Sequence, residues 1–220
     1  MSPVTVVFEG NLGAGKTTLL EHWKQDSHLS DILEVVEEPV DKWTDFAGQN
    51  LLSLWHQDMA RYSLIFQSLA QVTHLENHLK TVSKPVKVME RSVWSARKIF
   101  VEDLYKEKQL TSMEYELLDH WFKVITGPHV PGSKIDLVVY FRAKPSTCMD
   151  RVRYRARDEE EVLEASYLER IHKLYEKWLI EDSDQMNAKV IVLDADMEWN
   201  EVLEQSKVVV DTINELITMA

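Results

Sequence analysis

Nine residues near the start of this 220-residue chain, Gly10-Asn11-Leu12-Gly13-Ala14-Gly15-Lys16-Thr17-Thr18, constrain its fold more than any other feature. They follow an apolar run (Val4, Val6, Val7, Phe8) and precede an amphipathic stretch. That is the strand-before, helix-after setting which the G-x-x-x-x-G-K-[ST] pattern requires. The spacing has a chemical reason. Gly10, Gly13 and Gly15 let the backbone curl so that successive N–H groups converge on one phosphate chain, at the positive end of the following helix. Lys16 offers a compact positive charge to the β- and γ-phosphates, and the Thr17 hydroxyl can ligate Mg²⁺. Asn11, Ala14 and Thr18 complete the candidate ATP-binding loop. A glycine turn that only joined strand to helix would not call for the Lys-Thr pair, so the motif implies a nucleoside triphosphate site.

Downstream, short β-branched runs alternate with longer helical patterns, the rhythm of a parallel α/β sheet. The expected strands are 4–8, 33–36, 86–89, 137–141 and 190–193, each apolar enough to be covered on both faces. The expected helices are 17–23, 51–55, 61–79, 96–105, 112–125, 145–153, 167–180 and 199–218. The expected architecture is therefore α/β, a P-loop NTPase-type five-stranded parallel sheet flanked by helices. With no internal repeat or Pro/Gly-rich linker, residues 1–220 read as one domain. Polar residues gather after the strands: Glu37-Glu38, Glu90-Arg91 and Arg142. Ligands of open α/β sheets bind at that edge.

Composition narrows the partners. A net charge of -12 argues against a nucleic-acid polymer, whose binding runs on surplus Lys and Arg. A small anion needs only a local basic pocket. The single cysteine, Cys148, allows no internal disulfide and fits a reducing compartment. No long apolar span suggests a membrane segment, and the first strand begins almost at Met1, leaving no room for a leader. The expectation is a cytoplasmic location, or a mitochondrial one after loss of a transit peptide.

Three segments narrow the acceptor. In Glu37-Glu38-Pro39-Val40-Asp41-Lys42-Trp43, a carboxylate at a strand end could accept a proton from an attacking hydroxyl. In Glu90-Arg91-Ser92, the carboxylate could hold Mg²⁺ while the guanidinium steadies the acceptor or the base. Arg151, Arg153, Arg155 and Arg157, followed by acidic residues, suit a lid that closes on the transferring phosphoryl group. Taken singly, each has a bland reading as an acidic turn, a surface ion pair or a solvated basic turn.

Taken together, E-P-V-D-K-W, N-L-L-S-L-W, I-F-Q-S, M-E-R-S-V-W-S-A-R, R-V-R-Y-R-A-R-D-E-E and K-W-L-I occur in order from the phosphate loop to about Asp196. In these segments the chain resembles the deoxyribonucleoside kinase family, in its branch of insect multisubstrate kinases and mitochondrial thymidine kinase. The resemblance implies ATP-dependent 5′-phosphorylation of a deoxyribonucleoside, with an arginine-rich lid at about 151–165. It implies Glu38 as general base, Arg91 as its partner and Lys16 on the phosphates, with Thr17 and Glu90 serving Mg²⁺. It implies Gln67 on the pyrimidine edge, where an amide offers a donor and an acceptor side by side. Phe100 would stack on the base, Trp43 and Phe66 would close the slot, and Glu160 would bind the sugar 3′-hydroxyl. Arg151, Arg155 and Arg157 would grip the donor phosphates.

Some positions depart from the family. His56 replaces a tyrosine that reaches the 3′-hydroxyl, Trp55 and His74 stand where methionines are common, and Ala70 replaces a larger aliphatic residue. Ala96 follows the thymidine-accepting branch, so pyrimidines with thymidine included are expected. Family members pair through helices such as 61–79 and 112–125, so a homodimer is expected. The alternatives are a nucleoside monophosphate kinase of thymidylate type, or a non-catalytic nucleotide-binding relative.

Overall fold

The computed structural model describes residues 3–130, 132–156, 163–183 and 187–219. Five strands, β1 (Val4–Gly10), β2 (Leu33–Val36), β3 (Val86–Glu90), β4 (Leu137–Arg142) and β5 (Lys189–Asp194), form one parallel sheet in the order β2-β3-β1-β4-β5. Every residue of β1 and β3 is buried, as expected of strands covered on both faces. At the edge, β5 departs from that expectation. It pairs only with β4, and of its six residues only Leu193 is buried.

Registry sets where the site lies. Phe8 stands beside Glu90 of β3, and Gly10 beside Phe141 of β4, so these three strands end nearly flush. The chain reverses direction across the sheet at β1, which opens a crevice at the carboxyl edge.

The connections are α1 (Lys16–Gln25), α2 (Ser27–Ile32), α3 (Val40–Thr44), α4 (Leu51–Gln57), α5 (Met59–Leu79), α6 (Val93–Ser95), α7 (Glu102–Lys106), α8 (Ser112–Ile125), α9 (Pro145–Arg155), α10 (Ala165–Glu176) and α11 (Trp199–Met219). Local chemistry explains several boundaries. Asp58 caps α5 by accepting from the Arg61 N–H, and Thr111 with Glu114 forms a capping box at α8. The helix expected over 96–105 is present but opens with a wide π-helical turn at Ala96–Val101 between α6 and α7. Such turns are uncommon and favour functional sites. The short α2 and α3 carry too few apolar positions to announce themselves by periodicity.

Two apolar clusters matter for the site. One wraps the sheet. The other (Trp43, Leu51, Trp55, Phe66, Ala70, Val101, Leu104, Leu110, Leu118) joins α3, α4, α5, α7, α8 and the π turn beyond the sheet edge.

Candidate active site

A cavity of about 860 Å³ runs from the phosphate loop to this second cluster. At the loop, Gly13 has φ 73 and Gly15 φ 100, the left-handed region that glycine enters without strain. A Cβ at Gly13 would lie 2.6 Å from the Cys148 carbonyl oxygen, so the loop can pass α9 only as glycine. Lys16 is buried, and its Nζ donates to the Gly10 carbonyl at 3.0 Å and the Asn11 carbonyl at 2.9 Å. Burial, with Arg91 nearby, pulls its pKa down to about 8. The Thr17 hydroxyl meets both Glu90 oxygens, at 2.9 and 3.1 Å. Gly10 and Asn11 do not line the cavity. The Asn11 side-chain amide donates to the Leu168 carbonyl at 2.8 Å, pinning the loop to α10.

Beyond the loop, Glu38 and Arg91 meet at 2.6 Å, their side chains 14% and 9% exposed. Burial alone would raise the Glu38 pKa, but the Arg91 and Lys16 charges outweigh it and hold the carboxyl below its ordinary value. The residue is therefore held as a carboxylate. Arg91 sits at φ 57, unusual for a non-glycine residue, with its N–H on the Phe8 carbonyl at 3.0 Å. The guanidinium also lies 5.0 Å from the Phe100 ring centre.

The far end is aromatic. Trp55 stacks on Phe66 at 4.6 Å and 10°, and Trp43 meets Phe66 edge-on at 5.5 Å. Each indole N–H is held, Trp43 by Thr73 at 3.0 Å and Trp55 by Ser63 at 3.1 Å. Gln67 lines the cavity at 1% exposure, and its amide oxygen has no hydrogen-bond partner among the described residues. Ala70 and Ala96 present small side chains to the same wall, and His56 packs its ring 4.6 Å from that of Trp55. His74 lies 5.6 Å from the Trp43 ring, and burial drives its pKa down to about 4, so it is neutral.

The arginines divide. Arg151 and Arg155 line the cavity, whereas Arg153 is exposed and does not. Because α9 stays helical through Arg155, residues two apart point to opposite sides, while i and i+4 share a face. Arg142 is likewise turned away, paired with Glu176 at 2.6 Å. Arg157 and Glu160 lie outside the described residues. Sequence reasoning missed Tyr154, which sits inside the arginine run, and Tyr167, Met197 and Trp199, which belong to no motif; all four line the cavity. It also missed Glu9, whose signal was legible: a charge inside an otherwise apolar strand.

Comparison with known proteins gives a consistent set of matches. A sequence model of the family described as deoxynucleoside kinase matches residues 6–218. Human mitochondrial thymidine kinase 2 is 41% identical over 201 residues, covering 90% of this chain and 73% of that protein. Mouse deoxycytidine kinase is 32% identical over 197 residues, 80% of this chain and 75% of that protein. Rat deoxycytidine kinase is 29% identical over 241 residues, 97% and 90% of the two chains.

Proposed function

This chain belongs to the deoxynucleoside kinase family, and we propose that it phosphorylates pyrimidine deoxynucleosides, thymidine among them, at the 5′-hydroxyl with Glu38 as general base. The coarser statement needs no proposal: it is a deoxyribonucleoside kinase that uses ATP as donor. The observation that carries the finer one is the single cavity holding Lys16 and Thr17 at one end, the Glu38–Arg91 pair between, and the buried Gln67 amide, its oxygen without a partner among the described residues, at the other.

In this reading the nucleoside base lies in the aromatic slot beside Phe100, with Trp43 and Phe66 closing it. Its edge supplies the hydrogen bond that Gln67 lacks. The 5′-hydroxyl then faces Glu38, which takes its proton as the γ-phosphoryl arrives in line. Arg91 fixes the carboxylate, while Lys16, Arg151 and Arg155 spread the charge that develops on the phosphates. Thr17 and Glu90 form an oxygen-only donor pair of the kind Mg²⁺ accepts together with phosphates and water. When bound, the cation would neutralise phosphate charge. His56 is assigned the sugar 3′-hydroxyl, jointly with Glu160.

Ala70 and Ala96 supply room for a 5-methyl group, while the flat stack on Phe66 holds the bulk of Trp55 against the wall. The test is kcat/KM for thymidine, deoxycytidine, deoxyadenosine and deoxyguanosine with ATP and Mg²⁺. Preference for the two pyrimidines is expected, and equal rates on all four would overturn the pyrimidine assignment.

The chain is read as one kinase domain with a lid at about 151–165, and as a homodimer. Exposed Ile65, Val72 and Leu79 recur every seven residues along α5, beside exposed Met113, Leu117 and Val124 on α8. Val72→Asp should therefore halve the mass measured by sedimentation. Among the described residues no helix is long and apolar enough to cross a membrane. Cys148 is fully buried, which pushes its thiol up to about 11, and a buried thiol of that kind suits a reducing cytosol or mitochondrial matrix.

A further inference from the structure

Glu9 lies one residue before the phosphate loop, on the central strand, with 0% exposure. A carboxylate there is costly unless its oxygens are satisfied, and both are. One accepts from the Ser92 hydroxyl at 2.7 Å, the other from the Tyr175 hydroxyl at 3.1 Å. Ser92 directly follows Arg91, and its oxygen accepts the Ser95 N–H in a capping box at α6. Glu9 is thus braced against the turn that holds Arg91 at φ 57. The charged and polar groups facing it are Lys16 from α1, Arg91 from the end of β3, Ser92 and Ser95 from α6, and Tyr175 from α10. Arg91 reaches Glu38 with one terminal nitrogen, while its buried Nε has no hydrogen-bond partner among the described residues. The guanidinium therefore stands between two carboxylates, one touching and one acting through charge.

We propose that Glu9 is a positioning residue for phosphoryl transfer: through Ser92 it fixes the turn that presents Arg91 to Glu38, and its negative charge behind the guanidinium keeps Glu38 basic enough to take the nucleoside's proton. Arg91 and Lys16 hold Glu38 below the usual carboxylate range, which weakens it as a base. A second anion facing the same cations offsets that pull. This inference rests on the reading of Glu38 as base. Burial raises Glu9 to about 7 despite its hydroxyl partners and the two cations, so its charge is gained across neutral pH. Turnover should accordingly rise as Glu9 ionises.

The experiment is steady-state kinetics on Glu9→Gln, which keeps the shape and removes the charge, from about pH 6 to 8.5 around the Glu9 transition. The expected result is kcat about tenfold below wild type on the alkaline side and flat through neutrality. KM for ATP should not increase, because an anion near Lys16 has gone. Wild-type kcat with the rise intact overturns the proposal. So does a lower kcat with a higher KM for ATP and the rise retained, which would make Glu9 a support for the loop alone. Tyr175→Phe gives an independent reading. It removes a donor to the Glu9 anion, so the rise should move to higher pH, and an unmoved midpoint also overturns the proposal. Glu38→Gln run alongside separates the two ideas. Near-wild-type turnover there removes the base assignment and this inference with it. A nearly inactive Glu38→Gln beside an unaltered Glu9→Gln removes this inference alone.

Discussion

The two ends of the cavity are built by different means. At the phosphate end the backbone does the positioning: glycine dihedrals, flush strand ends, and a lysine held by carbonyls five and six residues away. At the aromatic end, where we propose that the nucleoside lies, side chains do most of the positioning. Side chains from α3, α4, α5 and the π turn meet there, ordered by ring stacking and two indole hydrogen bonds. The first arrangement tolerates almost no change, since each group is tied to the main chain. The second can be reshaped one side chain at a time, which on the proposed assignment would move substrate preference while leaving the chemistry in place.

The largest expected effects lie at the phosphate end. Glu38→Gln and Lys16→Ala should each lower kcat by about 10²–10⁴-fold. Nucleoside affinity, measured by tryptophan quenching, should hold within a few-fold, and a loss of affinity as large as the loss of rate would erase the distinction between the ends. Gly13→Ala should destabilise the fold by at least about 1–2 kcal/mol in thermal unfolding, because its φ of 73 and the Cys148 carbonyl both oppose a Cβ. Its counterpart in the slot, Ala70→Val, should leave stability nearly unchanged and alter KM for the nucleoside alone.

Gln67→Ala removes two potential hydrogen bonds to the base and should cost about 10–100-fold in kcat/KM with KM for ATP untouched. His56→Tyr should change nucleoside KM only a few-fold, with KM for ATP unchanged.

His74 lies where the two ends meet, packed edge-on to Trp43 and lining the same cavity as Glu38. Burial lowers His74 to about 4 and His78 to about 3, below the ordinary 6.5. The unfolded chain therefore binds these protons first, and stability falls as pH drops below about 6.5. Glu9, raised to about 7, works oppositely between 4.5 and 7 by holding a proton in the folded state. The net for these three groups is about one proton, or about 1.4 kcal/mol per pH unit between pH 4.5 and 6.5. His74→Met should flatten that slope in denaturant titrations. An unchanged slope would mean His74 is not the buried neutral base its surroundings make it.

Much of the fold could be read directly. All five strands fall within a residue or two of expectation, because covered parallel strands are nearly continuous apolar runs. β5 kept the pattern without the burial, since an edge strand has only one neighbour to cover it. The motif residues Lys16, Thr17, Glu38, Glu90 and Arg91 also came together as expected. The arginine run shows where reading along the chain stops. Alternation suggests one basic face, but a helix separates Arg153 from Arg151 and Arg155.

What the sequence by itself determined here was local: a loop whose chemistry is written in nine consecutive residues, and strand ends marked by charge after apolar runs. Its information is short-ranged because glycine dihedrals and strand periods are set by neighbours. Only the tertiary structure decided what distant residues do to one another. It braced the Asn11 side chain on α10, stacked Trp55 on Phe66, and set Glu9 against Ser92 and Tyr175, 83 and 166 residues away. Those placements depend on how helices pack over a sheet edge, and packing depends on shape and burial across the whole chain rather than on spacing within any one segment.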